Sequence, residues 1–140
     1  MGNEFPSLFA NILKIKQSAM ALHIETGNKG EKLAIRYLQK LGYRILDTNW
    51  HAGHCEIDIV ALDKNELVIV EVKTRRSDDY GHPSEAVNNK KIRHLISAAE
   101  RYIHRHNINL DTRFDVISIL FTDQKYDLEH IKDAFYPTAK

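Results

Sequence analysis

The 140-residue chain has a single cysteine, Cys55. That excludes an internal disulfide and leads us to expect a reducing compartment. Cys55 falls in a β-rich run and reads as a small buried hydrophobe. No apolar run approaches the roughly 18 residues that a membrane span requires. No secretory signal is visible either, so a cytoplasmic protein without a membrane span is expected. Internal repeats, low-complexity linkers and a second domain are also missing, and the length suits one domain with a real core. Charge of one sign is scarce overall. The formal net charge is +1, with 43% hydrophobic and 28% charged residues, so bulk charge does not announce a nucleic-acid binder. The distribution says more. Lys73–Arg113 holds nine Lys/Arg against five Asp/Glu, and Phe114 to the C-terminus holds three Lys against five acids. A basic middle and an acidic end are compatible with a phosphate-facing side.

The most informative stretch is Gly53–Arg76. Two β-rich runs, Cys55–Leu62 and Glu66–Thr74, flank Asp63-Lys64-Asn65, a turn signal that predicts a hairpin. Alternation puts Glu56, Asp58 and Val60 on one face of the first run. In the second run, Val68, Val70 and Val72 share a face, with Glu71 and Lys73 on the other. A two-residue turn at Lys64-Asn65 sets Asp58 across from Glu71 and Glu56 across from Lys73, with directly opposed Cβ atoms roughly 5 Å apart. A slip of one residue would move one strand's set to the opposite face.

Two adjacent carboxylates repel, which raises the pKa of one unless a cation intervenes. Hard oxygen ligands with room for water suit magnesium or manganese. Such a cation stabilises charge on a phosphate and activates an attacking water, and Lys73 beside it is placed to hold a phosphate or position that water. Taken alone, the pattern also fits a surface hairpin with a cross-strand salt bridge.

Around this hairpin the chain alternates helix and strand. Residues 1–21 read as an N-terminal appendage with short amphipathic helical spacing at Leu8, Phe9, Ile12, Leu13 and Ile15, and residues 22–140 as a single domain. His23–Asn28 reads as a polar lead-in, with Thr26 or Asn28 capping a helix from about Lys29 to Leu41. That helix carries the apolar stripe Leu33, Tyr37, Leu38 and Leu41, and Gly42 stops it. Glu31 then falls in its first turn, where the dipole favours an acid; reaching the carboxylate patch would be its functional role. Tyr43–Trp50 reads as a strand and Arg75–Pro83 as a charged loop. Ser84 to about Asn107 reads as the longest helix, with a break near Asn88-Asn89. Along it Lys90, Lys91 and Arg93 suit phosphate, while the remaining basic residues suit a solvated face. His104 and His106 do not share a helix face and make a poor metal pair. Leu110–Phe121 and Tyr126–Ile131 read as strands. The expected architecture is α/β, a mixed central sheet flanked by helices.

These motifs resemble the PD-(D/E)-x-K nuclease superfamily with its restriction-endonuclease-like fold. Within it the chain is similar to the bacterial YraN-like endonuclease family, related to archaeal Holliday-junction resolvases. The resemblance runs from about Gly27 to Phe135. It rests on Gly30-Glu31, Glu56-Ile-Asp58-Ile-Val60, Val70-Glu71-Val72-Lys73-Thr-Arg75, Gly81, Val87 followed by Lys91, Arg113-Phe114-Asp115-Val116 and Lys132-Asp133-Ala134-Phe135. Cys55 departs from the family's usual glycine. The resemblance implies a metal site formed by Asp58, Glu71 and Glu31, Lys73 serving the attacking water, and magnesium or manganese as cofactor. The family motif includes Glu56, and its position opposite Lys73 suggests that it orients that lysine. DNA, branched or structured, is the implied substrate, with Arg75, Arg76, Lys90 and Lys91 on the phosphate backbone. A homodimer would suit symmetric cleavage of a junction. Two other readings stay open: a nucleic-acid-binding module whose chemistry is vestigial or supplied by a partner, and a partner-docking protein acting through its N-terminal helix.

Overall fold

The computed structural model describes residues 8–77 and 88–136, without the side chains of residues 8, 9, 18, 19, 22 and 23. The elements run α1 (Leu8–Lys40), β1 (Arg44–Ala52), β2 (Cys55–Asp63), β3 (Glu66–Arg76), α2 (Asn89–Arg105), β4 (Asp111–Thr122) and β5 (Lys125–Phe135). The strands form one sheet in the order β1-β2-β3-β4-β5. Only β3 and β4 pair in parallel, joined by the crossover that contains α2. A mixed five-stranded sheet between helices is the expected α/β architecture and is compatible with the restriction-endonuclease-like fold.

Each sheet face carries its own core. On one face Ala34 and Leu38 of α1 pack with Ile59, Ala61, Val68, Val70, Ile117 and Ile119. On the other, Leu95, Ala98, Ala99 and Tyr102 of α2 pack with Ile57, Val60, Leu67, Ile69 and Phe114. The central strands β2 and β3 are thus apolar on both faces along most of their length, as central strands covered by helices are. Each fully buried Ile or Val contributes about 1.5–3 kcal/mol relative to exposure. The β5 edge carries exposed Lys125, Asp127, Glu129 and Lys132, charges that discourage pairing with another chain.

The first helix differs from the sequence expectation. It runs unbroken from Leu8 to Lys40, so His23–Asn28 is helix interior, and neither Thr26 nor Asn28 is a cap. Gly27 and Gly30 suggested a boundary, but a glycine inside a helix costs only about 1 kcal/mol against alanine, and without proline the hydrogen-bond ladder continues. Gly30 has a packing reason. Gly30, Ala34 and Leu38 form the buried stripe at four-residue spacing, and a Cβ on Gly30 would collide with the methyl group of Thr74. Toward the N-terminus, Ile12, Leu13, Ile15, Met20 and Ile24 are exposed on α1. No described helix is long and apolar enough to cross a membrane.

The longest helix is α1, with 33 residues, not the region from Ser84 to Asn107, where α2 covers Asn89–Arg105. Leu41–Gly42 ends α1, with Gly42 at φ +91° and the Tyr43 amide donating to the Leu38 carbonyl at 3.0 Å, a C-terminal cap that needs the left-handed residue. Asn88, where a break was expected, is the N-cap of α2. Its side chain accepts from the Lys91 amide at 2.9 Å, satisfying a donor that the first helical turn leaves open. Arg75 and Arg76 belong to β3 rather than to a loop. Tyr80-Gly81-His82-Pro83, Ser84 and Val87 lie outside the described residues.

Gly30→Ala should therefore lower stability by about 1–3 kcal/mol through overpacking, despite alanine's better helix propensity. A Thr74→Ala background should relieve most of that loss. Urea unfolding of the four variants checks this, and additive effects would count against close packing of Gly30 on Thr74.

Candidate active site

The hairpin pairs as its turn chemistry predicts over only part of its length. Partners run from Asp63↔Glu66 to Ile59↔Val70, all in the expected register. Lys64 in the turn takes φ +55°. Beyond Ile59 the ladder stops. A continued ladder would have the Val72 amide donate to Ile57, but it donates to Asp58 Oδ2 at 2.8 Å. The Asp58 carboxylate thus replaces a backbone acceptor where β2 leaves β3, and the Glu71 carboxyl lies near enough to influence its titration. The expected juxtaposition of Asp58 and Glu71 is present, reached through divergence of the strands rather than through direct pairing.

Glu71 is 4% exposed. Burial, followed by the Asp58 charge, pushes its pKa up to about 7, while Lys91 and Lys73 pull it down. Burial also raises Asp58, against the lowering effects of the Val72 amide and the Glu71 hydrogen bond. The two carboxyls interact, so they titrate as a pair. Lys73 is half-buried on the same strand, two residues on, and its charge reaches Glu71.

Two residues of this cluster escaped the sequence reading. Lys91, expected on a phosphate backbone, places Nζ 3.3 Å from Glu71 Oε1. Burial lowers its pKa, but the charge and hydrogen bond of Glu71, together with Asp58 and Glu56, outweigh that and raise it. The Asn88 cap fixes where Lys91 leaves α2, so an Asn three residues before a lysine was the available signal. The other is Asn49 on β1, at φ +50°, a conformation that asparagine tolerates. Its side chain hydrogen-bonds Glu31. An asparagine within a run of β-formers was the only hint.

Glu31 stands beside this cluster. Burial raises its pKa first, and the Asp58 and Glu56 charges add to that. Glu56 departs from expectation. It pairs with His51 across β1 and β2, with its carboxylate 3.5 Å from His51 Nδ1, so it does not sit opposite Lys73. The reason is the same divergence that frees Asp58, because β2 here follows β1 and not β3. Arg75 is half-buried and Lys90 exposed. Arg76 lines a cleft of about 270 Å³ with Lys29, Glu25 and Asp123, where acids offset the cations. His106 bonds the Tyr102 carbonyl and stacks on its ring, a packing role rather than a metal pair with His104.

Asp58 and Glu71 bring two carboxyl oxygen donors together. Among the described residues no three His, Cys, Asp or Glu side chains stand close enough to form a complete ligand set, so Glu31 is not gathered with them. Two carboxylates suit magnesium, which keeps several waters and takes one or two protein carboxylates with substrate phosphate oxygens.

A second polar cluster holds the opposite end of the hairpin. The Arg113 guanidinium bonds both oxygens of Asp115 at 2.9 Å, Asp63 at 3.0 Å, Glu66 at 2.9 Å and the Tyr43 hydroxyl at 2.7 Å. His130 Nε2 lies 2.7 Å from Asp115, and the Asp133 amide donates to it. Burial alone would raise the Asp115 pKa, but His130 and Arg113 lower it. The Arg113-Phe114-Asp115 motif thus ties β2, β3, β4 and β5 together away from Asp58.

Glu71 binds its proton more tightly folded than unfolded, so its contribution to stability is full below the ordinary glutamate value of 4.5 and is lost as pH rises through about 7. Glu71→Gln should flatten this fall, with a gain on the order of 1–3 kcal/mol at about pH 8 relative to acid. Denaturant unfolding across pH tests it; an unchanged slope would show that Glu71 is not the proton-binding group.

Residues 30–119 match the model of the "Uncharacterised protein family UPF0102". A UPF0102 protein of Phocaeicola vulgatus is 44% identical over 84% of this chain and 98% of its own length. One from Parabacteroides distasonis is 44% identical over 86% of this chain and all of its own. One from Bacteroides thetaiotaomicron is 46% identical over 84% and 98%. The matched span contains Asp58, Glu71, Lys73, Lys91 and Arg113 with Asp115, Asp63, Glu66 and Tyr43, and the chain belongs to the YraN-like UPF0102 family.

Proposed function

We propose that the protein is a metal-dependent endonuclease of the PD-(D/E)-x-K type, hydrolysing phosphodiester bonds in DNA. The observation that carries this reading is the adjacent Asp58 and Glu71 carboxyls, Glu71 buried and paired with Lys91, at the point where β2 leaves β3. A surface salt bridge would not require two carboxyls against each other, with one 4% exposed. Burial of that kind raises carboxyl pKa values and marks candidate functional groups.

Asp58 and Glu71 would hold magnesium or manganese. The bound cation would lower the pKa of an attacking water and offset charge developing on the phosphate. The chain's own residues do the rest. Glu71 must release its proton before it serves as a ligand, and a pKa of about 7 makes that possible near neutrality. The Val72 amide fixes the Asp58 rotamer. Lys73 lies within electrostatic reach of Glu71 and supplies a compact positive charge for the water or a phosphate oxygen. Lys91 neutralises Glu71 when no cation is bound, and its ammonium is free for a phosphate oxygen once Glu71 takes another partner.

That same Lys91–Glu71 contact supports a second reading. It satisfies the buried acid without any cation, as a nucleic-acid-binding module with vestigial chemistry would need. An assay on single-stranded, duplex, flap and four-way-junction DNA, with magnesium, manganese or EDTA, separates the two. Under the nuclease reading, Asp58→Asn and Lys73→Ala lose cleavage by about two to four orders of magnitude, with binding retained. A wild-type protein that cleaves none of these substrates with either metal, while both variants bind as wild type does, would leave the binding module.

A further inference from the structure

The carboxylate cluster occupies one end of α2, and the other end carries a feature it does not use. Over its 17 residues α2 holds Lys90, Lys91, Arg93, Arg101 and Arg105 against a single acid, Glu100. Near its C-terminal end, Arg101, His104 and Arg105 line a cleft of about 470 Å³ with Ala52 and Gly53 of the β1–β2 turn. No carboxylate lines it. Arg101 and Arg105 are exposed and have no acidic partner among the described residues.

The cleft is nonetheless held in shape. Arg101 Nη1 donates to the Ala52 carbonyl at 3.2 Å, which leaves its other donors outward. Gly53 takes φ +61°, and a Cβ there would stand 3.4 Å from Arg101 Nη1, so glycine keeps the turn low beside the guanidinium. The Arg105 guanidinium lies 5.5 Å from the centroid of the Trp50 ring, a cation–π contact that restrains it. Trp50 is braced edge-on by Tyr102. Restrained guanidiniums with free donors suit phosphate oxygens.

The spacing links this cleft to the carboxylates. Lys91, His94, Arg101 and Arg105 lie on one side of α2, within an arc of about 80°. From Lys91 to Arg105 the helix rises about 21 Å. That matches about six phosphates along one strand of B-form DNA at 3.4 Å each.

Building on the nuclease reading, we propose that the α2–β1/β2-turn surface formed by Arg101, His104 and Arg105 binds the phosphate backbone of a duplex arm about six base pairs from the bond held at Asp58 and Glu71. α2 then acts as the rail along which the arm lies. Lys91 marks the scissile end and Arg105 the far end.

Binding is measured by fluorescence anisotropy with labelled duplex DNA of about 20 base pairs, in EDTA so that nothing is cleaved. The R101Q/R105Q variant should bind at least tenfold more weakly. Its dependence of log affinity on log salt should be shallower by about 2, close to 0.9 for each phosphate that the variant no longer neutralises. R101K/R105K, which keeps the charge but not the guanidinium fork, should retain the wild-type salt slope and bind more tightly than R101Q/R105Q. His104→Glu, at an exposed position, should weaken binding independently, and it decides the matter if the double variant unfolds. Unchanged affinity and salt slope in folded R101Q/R105Q, or in His104→Glu, would overturn the proposal. So would an acidic peptide that competes better than duplex at equal charge. The two proposals fail separately. Wild type that cleaves nothing, with weakened binding in R101Q/R105Q, leaves the surface and removes the nuclease. Asp58-dependent cleavage with unaltered binding in that variant does the reverse.

Discussion

A single backbone amide changes partner, and much of the site follows from it. Where β2 turns away from β3, the Val72 N–H would be stranded in the interior, at a cost comparable to a missing hydrogen bond. The Asp58 carboxylate accepts it. That bond pins the aspartate against Glu71 and fixes how far the strands open. The acid that satisfies the backbone is also the one whose charge, after burial, raises the pKa of Glu71.

The hairpin therefore has a tight end and an open end. At the tight end Arg113 draws Asp63, Glu66, Asp115 and Tyr43 together, with His130 beyond. Opposite charges are matched there, and the described residues show no buried side-chain polar atom without a partner. At the open end two carboxyls face each other with fewer compensating charges, and burial is worked against rather than satisfied. The helices serve the same division. Gly30 lets α1 approach Thr74 closely enough to bring Glu31 within electrostatic range, and the Asn88 cap directs Lys91 onto Glu71.

Much of this was legible in the chain. Period-two alternation and the Asp63-Lys64-Asn65 turn predicted both strands and their register, since turn length sets pairing. The E-x-K spacing put Glu71 and Lys73 on one face. Other features were not legible. Continuity of α1 through Gly27 and Gly30 follows from the small cost of a glycine inside a helix, and at Gly30 from packing on Thr74 of β3. Glu56 was misplaced because a ladder extended on paper has no reason to stop, whereas the real strand follows β1. Lys91 and Asn49 are far from the hairpin in sequence, and nothing local ties them to it.

By itself, the sequence determined the alternation of helix and strand, the hairpin register near its turn and the placement of Asp58 and Glu71 beside each other. Each depends on periodicity or turn chemistry, which act over a few residues. Tertiary structure alone decided where β2 leaves β3, that Lys91 rather than Glu56 neighbours the acid pair, and that Asn49 holds Glu31. It also decided that Arg101, His104 and Arg105 meet the β1–β2 turn. These depend on contacts between residues 14 to 49 positions apart, whose closure the chain orders only when the whole sheet and both helices are in place.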